Sequence, residues 1–176
     1  MLADATVEQA ARDRAAERAL QQAAEEDSTL LGSLVAIAES GATVTVRTSS
    51  AGGGRDHRGV VIGVGRDFFV LQPEPPRPTA FIPFAGATSV RAAAGEAPAG
   101  GAGRKPPVDA SFAAILGGLA AARPRVQLAL RGGDLVVGDL RVVGRDVATL
   151  ALDGFQRAAL VVPLASIADV ALLDAV

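Results

Sequence analysis

The stretch GVVIGVGRDFFVL at residues 59–71 has a close parallel, GDLRVVGRDVATL, at residues 138–150. Both place Val-Gly-Arg-Asp between two apolar runs, a pattern typical of two β-strands joined by a tight turn. The match continues outward at offsets of 82, 79 and 80 residues, which relate Val44 to Val126, Gly65 to Gly144 and Pro83 to Pro163. Such regular spacing across a whole module predicts an internal duplication.

Each copy is predicted to consist of a short amphipathic helix followed by five strands. Five strands in about fifty residues leave no room for crossover helices, so we predict a largely antiparallel sheet. The predicted organisation is an N-terminal helical extension over 1–27, a first module over 28–91, an Ala/Gly/Pro linker over 92–108 and a second module over 109–176.

The N-terminal segment is rich in Ala, Glu, Gln and Arg, which predicts a helix over residues 4–26. Its apolar face is mostly alanine, so we favour a solvated extension over the alternative, a docking or coiled-coil arm. The next helix is predicted to begin at a cap formed by Asp27 or Ser28 and to end at Gly41.

The composition excludes several classes of site. The chain contains no Cys and one His, which excludes disulfides, a cysteine nucleophile and a multi-histidine metal site. GVGRDF at 63–68 lacks the third glycine of a dinucleotide fingerprint and falls in a predicted hairpin. We therefore expect a protein that is not an enzyme and has no metal, cofactor or small-molecule substrate.

The composition also bears on location and source. The N-terminus is polar and acidic, and the sequence has no apolar run of the ~18–20 residues that span a bilayer. We expect no membrane contact and a cytoplasmic location. The bias toward Ala, Gly and Arg, with 16 Arg and one Lys, suggests a high-GC bacterial genome such as an actinobacterial one.

The order of helix, bent strand pair, tight turn and two short strands around a proline resembles the Sm-like family of small SH3-like barrels. The resemblance covers about 130 residues and is carried by VTVRTSSAGGGRDHRGVVIGVGRDFFVLQ at 44–72, TAFIPFAGATSV at 79–90 and the matching stretch 126–170. It implies a mainly β protein with two tandem five-stranded barrels, each preceded by a short α-helix. The PRC-barrel family, which often closes with a stretch like VPLASIADV at 162–170, is the second choice.

The Sm-like resemblance implies RNA binding, usually through rings of barrels joined edge to edge. In bacterial members of the family, the turn between the second and third strands helps to hold bases. That turn corresponds to Arg66, Asp67 and Phe68 in the first copy and to Arg145, Asp146 and Val147 in the second. The resemblance implies that Phe68, unlike Val147, stacks on a base, whereas the residue types alone favour a purely structural turn.

A glycine-rich segment, GGGRDHR at 52–58, places two arginines and the only histidine beside each other. It suits phosphate binding, although we favour a disordered surface loop. The candidate nucleic-acid-binding residues are therefore Arg55, His57, Arg58, Arg66, Phe68 and Arg145. Two features oppose RNA: Ile82-Pro83-Phe84 and Val162-Pro163-Leu164 replace the family's Tyr-Lys-His signature, and residues 1–39 carry eight acids against three arginines.

A comparison of the two copies predicts an interface. In the second strand, Asp139 and Arg141 mark an outward face where the first copy has apolar residues, and Thr149 marks it on the third strand. The apolar residues of the first copy are Val60, Ile62 and Val70. We predict that they contact the other module, the N-terminal helix or another chain. The alternative is that strand bending buries both faces.

These observations favour a non-enzymatic Sm-like binding or scaffold protein, with a protein partner or self-association, acting through strand edges and this apolar face. Modules of about 65 residues bury too little surface to be very stable alone, which supports association. The alternative is an RNA- or DNA-binding regulator that uses the basic first module, where residues 40–91 hold six arginines and three acids.

The apolar face generates a first prediction. Ile62→Asp should leave a folded protein with a changed assembly state, because the charge would disturb a contact surface and not the core. Circular dichroism reports folding, and light scattering coupled to gel filtration reports assembly. Loss of folding would instead identify Ile62 as an ordinary core residue.

Overall fold

The computed structural model describes residues 29–92, 108–153 and 158–173. The helix predicted over 4–26, the caps predicted at Asp27 and Ser28, and the linker between residues 92 and 108 lie outside these ranges. The chain divides into two compact units at Ser33, and the second unit holds all ten described strands.

A helix precedes each group of strands, as predicted. Helix α1 spans Leu30–Ser40 and helix α2 spans Phe112–Ala120. The side-chain oxygens of Thr29 and Ser111 cap them, each accepting a hydrogen bond from the backbone N–H three residues on, at 3.1 and 3.2 Å. Each helix carries one leucine with no exposed surface, Leu34 in α1 and Leu116 in α2.

The ten strands form one antiparallel sheet, which confirms the predicted mainly β fold. The first copy contributes β1 (Thr43–Thr48), β2 (Arg55–Val64), β3 (Phe68–Pro73), β4 (Ala80–Pro83) and β5 (Ala87–Ala92). The second contributes β6 (Arg125–Leu130), β7 (Leu135–Val143), β8 (Val147–Leu152), β9 (Ala159–Pro163) and β10 (Ile167–Leu172). A 3-10 turn follows Pro83 and another follows Pro163.

The two copies repeat each other bond for bond at the Val-Gly-Arg-Asp turns. The N–H of Gly65 donates to the carbonyl of Phe68, and Gly144 donates to Val147, both at 2.8 Å. The register also slips by one residue at equivalent places in both copies, between β2 and β3 at Ile62 and between β7 and β8 at Arg141. These matched β-bulges bend the long strands alike. Residues that share a place in the two repeats are called counterparts below.

The structure corrects the prediction of a loop over 52–58. Strand β2 begins at Arg55, and His57 lies within it, opposite Val46 of β1. The loop is shorter because Gly52, Gly53 and Gly54 all adopt positive φ and turn the chain tightly. His57 is therefore a buried strand residue and not a solvated loop residue.

The strand order is β5-β1-β2-β3-β4-β10-β6-β7-β8-β9, so the two repeats join where β4 pairs with β10. The expectation of two closed five-stranded barrels is not confirmed, because this sheet is open at β5 and β9. The cores nevertheless stay separate. One cluster gathers around Leu34 and Phe69 of the first repeat, and the other around Leu116 and Leu150 of the second.

Two separate cores make a prediction about stability. Leu34→Ala and Leu116→Ala should each cost about 2–5 kcal/mol, because each empties space in a different core. The costs should add in the double variant to within about 0.5 kcal/mol, as expected for residues that share no partners. Urea denaturation measures all three values. Strong non-additivity would show that the two cores act as one.

Candidate interaction interface

The junction between the repeats begins with main-chain pairing. Phe81 and Ala80 of β4 lie opposite Val170 and Ala171 of β10, and the N–H of Leu172 donates to the carbonyl of Thr79 at 3.1 Å. All four residues of β4 are buried. Strand β4 therefore gains a hydrogen-bonding partner from the second repeat, and its Phe81 side chain joins the core of that repeat.

Aromatic rings from the first repeat extend the core of the second. Phe68 and Phe81 are 2% and 8% exposed and belong to the cluster around Leu116. The ring centroid of Phe68 lies 6.1 Å from that of Phe112 at the start of α2. This distance is typical of a favourable aromatic pair, so the junction gains more than its buried area alone.

The first Val-Gly-Arg-Asp turn also holds the start of α2. A carboxylate oxygen of Asp67 accepts a hydrogen bond from the N–H of Phe112 at 2.7 Å, and the N–H of Arg66 donates to the carbonyl of Ala110 at 3.0 Å. A carboxylate at a helix N-terminus is favourable because it meets unpaired N–H groups and the positive end of the helix dipole. This turn thus binds the segment of the second repeat that begins α2.

A polar group lies buried at the same junction. The carboxylate of Asp169, in β10, has no exposed surface and contacts three side chains of the first repeat, which are Thr48, Arg55 and His57. We call these four residues the Asp169 cluster. Nε2 of His57 lies 3.3 Å from one carboxylate oxygen, within hydrogen-bonding distance. The cluster joins β1 and β2 of one repeat to β10 of the other.

Asp169 and Thr48 are members of this cluster that were not predicted from the sequence. One signal was present: Asp169 is the only charged residue in the apolar stretch 159–172, and its counterpart in the first repeat is Ser89. A carboxyl group in a strand with apolar neighbours on both sides is seldom placed there without a partner. The sequence contains nothing that names the partner, because Asp169 is 112 residues away from His57.

The candidate nucleic-acid-binding residues do not form one surface of unpaired cations. Arg55 faces Asp169 at 3.3 Å, Arg58 faces Glu74 at 3.1 Å, and Arg66 faces Asp109 at 3.4 Å. Such ion pairs reduce the positive charge that each arginine offers to phosphate.

Burial also bears on these candidates. Phe68 belongs to a core, so the base-stacking role that the resemblance implied does not fit its position. His57 and Arg55 line a cavity of about 450 Å³ at the junction, together with Gln127 of the second repeat. Arg145 is exposed and lines a different cavity of about 580 Å³.

The candidate interface residues Val60, Ile62 and Val70 are all half-buried. Val70 packs against the cluster around Leu116, which includes Phe81, the residue opposite Val70 in β4. Ile62 occupies the bulge in β2. The variant Ile62→Asp therefore changes a residue that lies in a β-bulge and outside both described cores.

Two strand edges lack a partner within the described part of the chain. Strand β5 pairs with β1 alone, and β9 pairs with β8 alone. Their exposure reflects this: Val161 in β9 is 60% exposed, whereas its counterpart in β4, Phe81, is 8% exposed. The outer edge strands β5 and β9 are therefore equivalent to β10 and β4, the two strands that pair in the middle of the sheet.

Comparison with known proteins gave no match, either to protein-family models or to curated proteins. In the ranges that the structure describes, neither helix has the length and apolarity needed to cross a membrane.

The junction generates a matched pair of predictions at Gly86 and its counterpart Ser166. A Cβ atom at Gly86 would lie 2.2 Å from the carbonyl oxygen of Ala168, so Gly86→Ser should force β10 away and cost about 1–3 kcal/mol. Ser166→Gly should cost less than about 1 kcal/mol, because it adds only backbone freedom. Thermal or urea unfolding measures both. Equal effects would contradict the close approach of β10 to the turn after β4.

Proposed function

We propose that this protein is a non-enzymatic Sm-like binding and scaffold protein, whose modules associate edge to edge. Each repeat would be one Sm-like module, with its own helix and with its strands ordered 5-1-2-3-4. The observation that carries the proposal is the β4–β10 pairing, together with the unpaired state of the equivalent edges β9 and β5 in the described residues.

A second copy of this chain is the partner that fits these edges. Strand β9 occupies in its repeat the place of β4, and β5 occupies the place of β10. Since β4 pairs with β10 within the chain, β9 of one chain is expected to pair with β5 of another. Uncovered strand edges promote association, and pairing would satisfy their free N–H and C=O groups. Val161 would gain the cover that Phe81 has within the chain.

Association of this kind joins unlike surfaces, and it produces either a closed ring or an open filament. Both outcomes give a protein with many identical surfaces, which suits a scaffold. The ion pairs of Arg55, Arg58 and Arg66 lend the alternative, an RNA- or DNA-binding regulator, less support. Salt-dependent binding of a random RNA pool would reveal it, because counterion release makes such binding strongly dependent on salt.

The proposal predicts that the wild-type chain self-associates and that Val161→Lys prevents it. A lysine at the exposed edge is a common natural device against strand pairing, so the variant should elute as a monomer. Light scattering coupled to gel filtration over a range of protein concentrations gives the mass.

The matched control is Leu135→Lys. Leu135 is also exposed and apolar, at 55%, but it lies at the start of β7, away from both free edges. This variant should assemble like the wild type. A wild-type chain that stays monomeric at every concentration, or equal effects of the two lysines, would refute association through β9.

A further inference from the structure

We propose that Asp169 selects which strand edges pair. Its buried carboxylate directs β10 to β4 of its own chain and excludes β10 from β9, so that β9 is left for β5 of another chain. The second half of this proposal rests on the proposed function, because it concerns the partner of the same edges. The first half concerns the chain alone.

The carboxylate is closely fitted to the first repeat. One oxygen accepts from the hydroxyl of Thr48 at 3.0 Å and lies 3.3 Å from Nε2 of His57. The other accepts from a guanidinium nitrogen of Arg55 at 3.3 Å. Both oxygens are thus used, and two of the three partners, Thr48 and His57, are themselves buried.

The second repeat lacks these three side chains at the equivalent places. Strand register identifies the counterparts: Thr48 and Arg55 face each other across β1 and β2, as Leu130 and Asp134 do at the equivalent place, while His57 corresponds to Val136. The three polar partners of Asp169 in the first repeat are therefore replaced by a leucine, a valine and an acid. Ser89 stands in β5 where Asp169 stands in β10, opposite Arg47 and Ala129 respectively.

These replacements decide which edge pairings are favourable. Each of the equivalent edges β4 and β9 could pair with either β10 or β5. If β10 paired with β9, Asp169 would be placed beside Leu130 and Val136 and close to the like charge of Asp134. A buried carboxylate without a partner is strongly unfavourable, and a neighbouring acid increases the penalty. This pairing is therefore disfavoured.

If β5 took the place of β10 on β4, Ser89 would face Arg55 and His57 without supplying a carboxylate. The β4–β10 pairing is the one in which every charged member of the cluster has an opposite charge or a hydrogen-bond partner. Between chains, β5 on β9 buries no carboxylate at this position, since Ser89 is small and neutral. The two repeats have diverged so that each edge has one acceptable partner, as expected of specificity achieved by penalising wrong pairs.

A purely structural role for the cluster predicts something different. Buried ion pairs are weak contributors to stability, and their best-attested use is to fix register or partner choice. A structural role would make Asp169 substitutions lower stability throughout the fold. If Asp169 selects the partner, its substitution should loosen the pairing of β10 with β4 while both cores persist. Matching substitutions should also transfer the preference to the pairing of β5 with β9.

The first experiment tests selection within the chain and does not depend on assembly. Asp169→Ser, which installs the β5 residue, should raise amide hydrogen exchange at Leu172 by about tenfold or more relative to core amides such as those of Leu71 and Leu150. Asp169→Asn keeps the shape without the charge, should give a smaller rise, and replaces the serine variant if that one fails to fold. Unchanged protection of Leu172 in either variant, or a uniform loss across the fold, overturns the proposal.

The second experiment moves the preference to the other edge. Ser89→Asp should weaken self-association by about tenfold or more, because a carboxylate on β5 would meet Asp134 and apolar side chains on the next chain. Adding Leu130→Thr, Asp134→Arg and Val136→His to that variant should restore assembly, because these changes reproduce the three side chains that contact Asp169 in the first repeat. Assembly of Ser89→Asp at the wild-type level, or no recovery in the combined variant although it folds, overturns selection between chains.

The two experiments separate the two proposals. If the wild-type chain stays monomeric, association through β9 and β5 is refuted. The role of Asp169 is then decided by exchange at Leu172, where a selective rise supports it and unchanged protection overturns it.

Discussion

The free hydrogen-bonding edge of β4 needs a partner strand, and the arrangement of the two repeats depends on which strand pairs with it. Strand β4 is four residues long and wholly buried, so exposing its edge would leave main-chain groups unpaired beside an apolar core. Strand β10 of the other repeat covers it. This single pairing turns two five-stranded groups into one ten-stranded sheet.

Those contacts differ in kind, and each performs a separate task. Phe68 and Phe81 fill the core of the second repeat, which is why the two cores are distinct and yet adjoin. Asp67 fixes the beginning of α2. The Asp169 cluster brings a buried carboxylate to the junction, and charge discriminates between partners more sharply than apolar contact does.

The duplication accounts for the exposed edges as well as for the internal junction. Two copies of one module have four edges of two kinds, and a single chain can join only one pair of them in a linear sheet. The copies differ at places where one is covered and the other is not, as at Phe81 and Val161, Gly86 and Ser166, and Asp169 and Ser89. Divergence at these places follows from their different surroundings and leaves the hairpins themselves unchanged.

The amino-acid sequence by itself determined the duplication, the two short helices, the antiparallel strands and the tight turns. Each of these follows from residues close together in the chain, such as the alternation in TVTVRT at 43–48 or the glycine and aspartate of the repeated turn. Local patterns of this kind need no knowledge of distant partners.

Only the tertiary structure decided that the repeats share one sheet, that Phe68 is a core residue, that His57 belongs to β2, and that Asp169 meets Thr48, Arg55 and His57. The Sm-like resemblance implied that Phe68 stacks on a base, whereas its ring packs against Phe112 at the start of α2. Asp169 and Thr48 are 121 residues apart in the chain. A strand edge exposes the same N–H and C=O groups whatever its side chains are, so its partner is chosen by packing and charge from across the fold.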